Sequence, residues 1–202
     1  MTHTTMTRAY ALGLGYGSIW LVSACLASGV LDIFGIVTTL QETIFSLLGL
    51  FLVGGALLYL CIRFLRLGYT LPRSTAGKIS AVGARIFGGL ILLEVIGWGV
   101  LDTTLSSRGL AIWIVPVDLL IIGAHFIPLA FVFKVPAYLA MGLLWLLAII
   151  GVIVAVPSTA IIGHESAWYT LPSICCVVIT WFTVLFLMTS NMGRVRLVTQ
   201  QG

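Results

Sequence analysis

The chain has 202 residues, of which 60% are hydrophobic and 8% are charged. About a quarter of the residues of a soluble domain are charged, so this composition excludes a soluble globular protein. The net charge of +4 comes from basic residues spread over loops and helix ends, and it does not indicate a nucleic-acid partner. No loop is long enough for a separate unit, so residues 1–202 are expected to form a single transmembrane domain.

Six apolar stretches follow one another along the chain. Each is about as long as the ~20 residues that a helix needs to cross the hydrocarbon core of a bilayer. The sequence therefore predicts an all-α bundle of six transmembrane helices. Their expected ranges are 10–34, 43–65, 79–101, 110–133, 136–156 and 167–190.

The distribution of charge predicts the orientation of this bundle. If the six stretches cross the membrane alternately, nine of the ten basic residues lie on the side of the N-terminus, and Arg108 alone lies opposite. Four of the six acids, Asp32, Glu42, Asp102 and Glu165, also lie opposite. Because basic residues are retained on the cytoplasmic side, both termini are expected in the cytoplasm.

The cysteines offer one alternative for the first helix. Val22-Ser23-Ala24-Cys25 resembles a bacterial lipoprotein cleavage box, which would make Cys25 a lipidated N-terminus. The apolar run continues beyond Cys25 and is longer than a signal-peptide core, which favours an uncleaved helix. Cys61, Cys175 and Cys176 also lie in apolar segments and lack zinc-ligand spacing, so no metal or cofactor is predicted.

Small residues are concentrated in the first and third helices. Gly13 and Gly17 are four residues apart, and Gly88, Gly89 and Gly97 follow in the third helix. Glycines at this spacing let two helix backbones approach closely in a membrane. The two helices are therefore expected to pack closely on other helices, and they are the candidate contacts of a homodimer.

The connection after the second helix is basic. It contains Arg63, Arg66, Arg73 and Lys78, and such a cluster can bind the head groups of anionic membrane lipids. The alternative is that these residues only determine the topology.

Three ionisable side chains are expected well inside the bilayer: Glu94, Asp118 and His125. Glu94 lies 14 residues from Ser80, or ~21 Å, and Asp118 lies 15 residues from Phe133, so the two are expected at nearly the same depth from the cytoplasm, facing each other. Two carboxyl groups at short range cannot both ionise cheaply, which predicts a site where they share a proton. His125 lies seven residues after Asp118, on the same helix face.

Pro128 is expected to act as a hinge in the fourth helix, because proline cannot donate to the carbonyl four residues earlier. The surrounding His125-Phe126-Ile127-Pro128-Leu129-Ala130 segment resembles a group of small multi-pass bacterial inner-membrane proteins that have a His-Phe-aliphatic-Pro-Leu-Ala run before a basic residue. In this chain Phe131-Val132-Phe133 precedes Lys134. The resemblance implies a location in the bacterial inner membrane and implies no activity.

These residues favour two functions. The first is a small proton-linked permease or channel in which Glu94, Asp118 and His125 form a polar intramembrane path. The alternative is a non-catalytic lipid-interacting or membrane-assembly protein in which the same residues only fix helix packing. An enzyme is not predicted, because no nucleophile with a neighbouring base is visible.

Overall fold

A computed structural model describes residues 8–37, 39–71, 81–133 and 135–200. Within these ranges it contains six α-helices, joined by short connections. The helices are α1 (Arg8–Ile36), α2 (Leu40–Thr70), α3 (Ala81–Ser107), α4 (Ile114–Phe133), α5 (Pro136–Ala155) and α6 (Ala167–Gln200).

All six helices include a segment long and apolar enough to cross a membrane, so the predicted all-α bundle is confirmed and the chain is a multi-pass membrane protein. The end of the bundle that carries Arg8 is called the inner end below. The end that carries the connection at residues 108–113 is called the outer end.

Most helices extend beyond the ranges predicted from hydrophobicity. Thr39 caps α2, where its hydroxyl accepts a hydrogen bond from the backbone N–H of Glu42. At the end of α3, Thr103 and Thr104 donate to the carbonyls of Gly99 and Val100, so polar residues continue the helix to Ser107. As a result Asp102, which follows the predicted range 79–101, lies within α3, just as Asp32 lies within α1.

α6 is the central helix of the bundle and packs on α1, α2, α4 and α5. Its residues Val184, Leu187 and Met188 are buried, and they belong to one core with Phe64 of α2 and Met141 of α5. α3 lies at the periphery, and among the described residues it packs mainly on α4 and on the 3-10 turn Ala111–Trp113.

The interface between α1 and α2 is built from glycines opposed by leucines. Atoms of Leu65 and Leu50 lie where a Cβ would be placed at Gly15 and Gly29 of α1, and Leu26 lies against Gly54 of α2. These glycines of the first helix thus contact α2 of the same chain. The α3 glycines Gly88, Gly89 and Gly99 have no such neighbours within 4 Å in the described structure.

The interface between α4 and α5 is similarly close. A Cβ on Gly142 would lie 2.7 Å from the backbone oxygen of Gly123 and 3.1 Å from the Cβ of Phe126. A main-chain atom cannot move aside as the end of a leucine can, so this crossing requires glycine at position 142.

A small hairpin covers the outer end of α1. Strands β1 (Ile161–Ile162) and β2 (Glu165–Ser166) pair antiparallel around Gly163, which has a φ of 63°. A side chain at Gly163 would also collide with the backbone of Ile36. The backbone N–H of His164 donates to the carbonyl of Gly35, which satisfies one of the free carbonyls at the end of α1.

Candidate intramembrane site

The interface between α3 and α4 brings together the ionisable residues that the sequence placed in the membrane. Nδ1 of His125 lies 2.7 Å from Oε2 of Glu94. Both side chains are mostly buried, with 12% and 15% of their surface exposed for His125 and Glu94. A contact of this length between an imidazole and a carboxyl group is a charge-assisted hydrogen bond when the proton lies on the histidine.

The pair can hold a proton on either residue. With the carboxylate ionised, Nδ1–H of His125 donates to Glu94; with a protonated carboxyl group, Glu94 donates to a neutral His125. Both arrangements are compatible with the 2.7 Å separation of Nδ1 and Oε2. Net uptake of a proton uses the other ring nitrogen: a neutral His125 that donates from Nδ1 to an ionised Glu94 can gain and lose a proton at Nε2 while that hydrogen bond is maintained.

Asp118 is not the partner of Glu94, so that predicted pairing is corrected. Asp118 lies seven residues before His125 on α4, which is ~10.5 Å away along the helix axis. The sequence-based depths were counted from the inner ends of the helices, which are not level. The short outer connection determines the register instead: Glu94 lies 13 residues before Ser107, and His125 lies 11 residues after Ile114.

The same register brings a different acid near Asp118. Moving outward from the Glu94–His125 pair, Gly97 of α3 lies beside Ile121 of α4, and Asp102 is the carboxyl group that acts electrostatically on Asp118. In the described part of the chain, Oδ1 of each of these aspartates is buried without a hydrogen-bond partner. The α3–α4 seam, defined here by Glu94, Asp102, Asp118 and His125, therefore holds three acids and one histidine.

Asp102 is the member of this seam that sequence reasoning missed. The predicted range of the third helix ends at Leu101, so hydrophobicity alone places Asp102 in the connection that follows. Its spacing from Glu94 was the available signal, because eight residues place Asp102 about a quarter of a turn from Glu94 around a continuous helix, within one helix face.

A second polar network, also missed, joins the first and last helices. Ser173 of α6 donates to Oδ2 of Asp32 at 2.6 Å, and the hydroxyls of Ser28 and Ser173 are 3.0 Å apart. Since the one hydrogen of Ser173 is directed at Asp32, Ser28 donates to Ser173. The spacing of Ser28 and Asp32, four residues apart on one face of α1, was the available signal.

Pro128 lies on the same face of α4 as His125, three residues further inward. α4 continues without interruption to Phe133, so proline is accommodated inside the helix. Near the end of this helix, the N–H of Val135 donates to the carbonyl of Ala130, five residues earlier. The hinge action of Pro128 stays a prediction.

The remaining predicted positions lie apart from the seam. Arg63 and Arg66 are exposed on the inner turns of α2, whereas Arg73 and Lys78 lie outside the described residues. Cys25 is buried within the continuous helix α1. Across residues 8–37, 39–71, 81–133 and 135–200, the structure has no group of three metal-ligating side chains.

No protein-family model, curated protein or solved structure matches this chain.

Proposed function

We propose that this protein is a small proton-linked permease or channel whose proton-binding element is the Glu94–His125 pair. The observation that carries the proposal is the 2.7 Å contact between Nδ1 of His125 and Oε2 of Glu94 in the middle of two membrane-spanning helices. Ionisable groups at this depth are costly, and in membrane proteins they mark ion and proton pathways.

The other residues of the seam have roles in this proposal. Asp102 and Asp118 lie between the pair and the outer end, so they provide successive carboxyl groups for a proton that approaches from that side. Protonation changes the charge of the contact that joins α3 to α4. Because α3 packs mainly on α4, this change of charge alters how strongly α3 is held against α4. Pro128 is the proposed hinge within α4.

The test is flux in proteoliposomes that contain a pH-sensitive dye, with an imposed proton gradient and a panel of ions and solutes. Glu94→Gln and His125→Ala are expected to lower proton-linked flux at least about tenfold, since removing a positioned acid–base group costs that much or more. Pro128→Ala is expected to change the rate more than the apparent affinity, as for a gating element.

Glu42→Gln is the matched control, because Glu42 is an exposed acid at the outer end of α2. Its flux is expected to equal that of the unmodified protein. Unchanged flux in both Glu94→Gln and His125→Ala, in correctly inserted protein, would exclude the proposal.

The second candidate is a lipid-interacting or assembly protein in which the seam only fixes α3 on α4. The observation that favours it is that Glu94 and His125 each provide a hydrogen-bond partner for the other. In addition, a groove of about 400 Å³ between α5 and α6, lined by Leu144, Phe182 and Phe186, is mostly apolar and suits an acyl chain better than an ion. Under this function the two variants lower the melting temperature in detergent, and no solute gradient drives flux in any variant.

The same proposal includes a location and an orientation. The resemblance of the segment from His125 to Ala130 supports the bacterial inner membrane, and the charge distribution supports cytoplasmic termini. A reporter active only in the cytoplasm is expected to be active when fused after Gly202 and silent when inserted near Ser106. Activity at Ser106 would contradict this orientation.

A further inference from the structure

An arginine and two tyrosines form a cluster on the surface where α1 and α2 meet at the inner end. The guanidinium carbon of Arg8 lies 5.4 Å from the centre of the Tyr69 ring, and the hydroxyls of Tyr69 and Tyr16 are 2.6 Å apart. Arg66 lies three residues before Tyr69 on the adjacent helix face and is exposed. Arg8, Tyr16 and Tyr69 are called the Arg8–Tyr69 cluster, and Arg66 is its basic neighbour.

The antiparallel packing of α1 and α2 explains how the two hydroxyls meet. Helical side chains lean toward the N-terminus of their own helix. Tyr16 therefore leans toward the inner end, and Tyr69, on a helix that runs the other way, leans toward the outer end. The two rings converge beside Arg8, while 54% of Tyr16 and 45% of Tyr69 remain exposed.

The cluster has hydrogen-bond donors left over. The contact between the two tyrosines uses one hydroxyl hydrogen, so the other can donate to a further group. The guanidinium of Arg8 has five N–H donors, and its position over an aromatic ring leaves its edge available. Together these groups present several donors and positive charge at one point of the membrane surface.

The acids of the chain do not neutralise this end of the bundle. Five lie on the outer turns or in the middle of helices, and the sixth lies in the outer hairpin: Asp32, Glu42, Glu94, Asp102, Asp118 and Glu165. The cluster is therefore complementary to an anion that no acidic side chain of the described residues supplies.

We propose that the Arg8–Tyr69 cluster binds the head group of an anionic phospholipid, with the phosphodiester accepting hydrogen bonds from Arg8 and from a tyrosine hydroxyl. The apolar surface beside the cluster identifies the source of the phosphate as a lipid. Trp20 is 70% exposed one turn outward from Tyr16, and Tyr59 is 63% exposed on α2, so acyl chains can lie against the apolar surface of these helices. This proposal does not depend on proton-linked transport.

The test compares the binding of phosphatidylglycerol and phosphatidylcholine to the full chain in detergent, measured by native mass spectrometry. The unmodified protein is expected to retain phosphatidylglycerol preferentially. Arg8→Gln is expected to reduce that preference about fivefold, the effect of one basic residue near an anionic membrane surface. Tyr69→Leu, which removes both the ring and the hydroxyl, is expected to reduce it by a similar factor.

Arg108→Gln is the matched control, because it removes an exposed arginine from the opposite end of the bundle. Tyr69→Phe keeps the ring and packing, and it is expected to reduce the preference about threefold through the lost hydroxyl. The proposal is overturned if Arg8→Gln and Tyr69→Phe both keep the full preference, or if Arg108→Gln loses as much as Arg8→Gln. Competition by millimolar inorganic phosphate would show a free-anion site and would overturn the assignment to a lipid.

Discussion

The two kinds of helix contact in this bundle differ in the forces that maintain them. α1 with α2, and α4 with α5, approach closely because glycines accommodate neighbouring leucines or backbone, as at Gly54 and Gly142. α3 meets α4 through the Glu94–His125 hydrogen bond, while large apolar residues of α3, such as Leu93, remain exposed. Because lipid tails are as apolar as the helices, the hydrophobic effect does not drive helices together inside a membrane. Their association depends instead on close steric fit and on polar contacts.

The kind of contact that joins two helices determines whether protonation can affect it. The strength of a contact made by steric fit does not depend on pH. A contact between an imidazole and a carboxyl group changes its charge when either group gains or loses a proton. The close-packed pairs therefore form a constant frame, and α3 is the helix whose attachment can respond to the chemistry of the site.

The largest effect on stability is expected at the close-packed crossing of α4 and α5. Gly142→Ala places a Cβ 2.7 Å from the backbone oxygen of Gly123, so one helix must shift. Overpacking of this kind costs about 1–3 kcal/mol in unfolding free energy. The measurement is unfolding in mixed micelles, with Gly151→Ala on the same helix as the control, since no neighbour lies within 4 Å of that position. Equal stability of the two variants would show that this crossing is not close-packed.

A smaller effect is expected where α3 meets α4. A double-mutant cycle of Glu94→Gln and His125→Asn should give a coupling energy of about 1 kcal/mol, because hydrogen bonds between membrane helices average ~0.6 and reach ~1.7 kcal/mol. The same unfolding measurement at neutral pH provides the four free energies. Asp118→Asn paired with Glu94→Gln is the control and should show less coupling, since Asp118 lies two turns away along α4. Equal coupling in both cycles would contradict the register described here.

The smallest effect is expected on the exposed side of α3. Among the described residues no atom lies within 4 Å of a Cβ on Gly99, so Gly99→Ala should change the unfolding free energy of the protomer by no more than about 0.5 kcal/mol. Gly99→Leu tests the predicted homodimer through α3, because a larger side chain would separate two facing backbones. Cross-linking in membranes should then show less dimer for Gly99→Leu than for Gly99→Ala. Equal dimer yields would place the contact, if there is one, on another helix.

The sequence predicted the helices well because about 20 consecutive apolar residues have one stable arrangement in a bilayer. It also identified Glu94 and His125 as exceptional, since charge at that depth is visible in the sequence alone. It did not predict which side chains these two contact: Glu94 was expected to face Asp118, whereas it contacts His125. Register between antiparallel helices depends on the outer connection, and hydrophobicity does not reveal that α3 continues through Asp102 to Ser107.

The contact between Asp32 and Ser173 also constrains the order in which the molecule is built. The two residues are 141 positions apart, and they lie on the first and the last helix. During synthesis α1 enters the membrane with the carboxyl group of Asp32, whereas the Ser173 hydroxyl that donates to this group is inserted only with α6. The contact that joins α1 to α6 therefore forms late, after the other four helices have been synthesised.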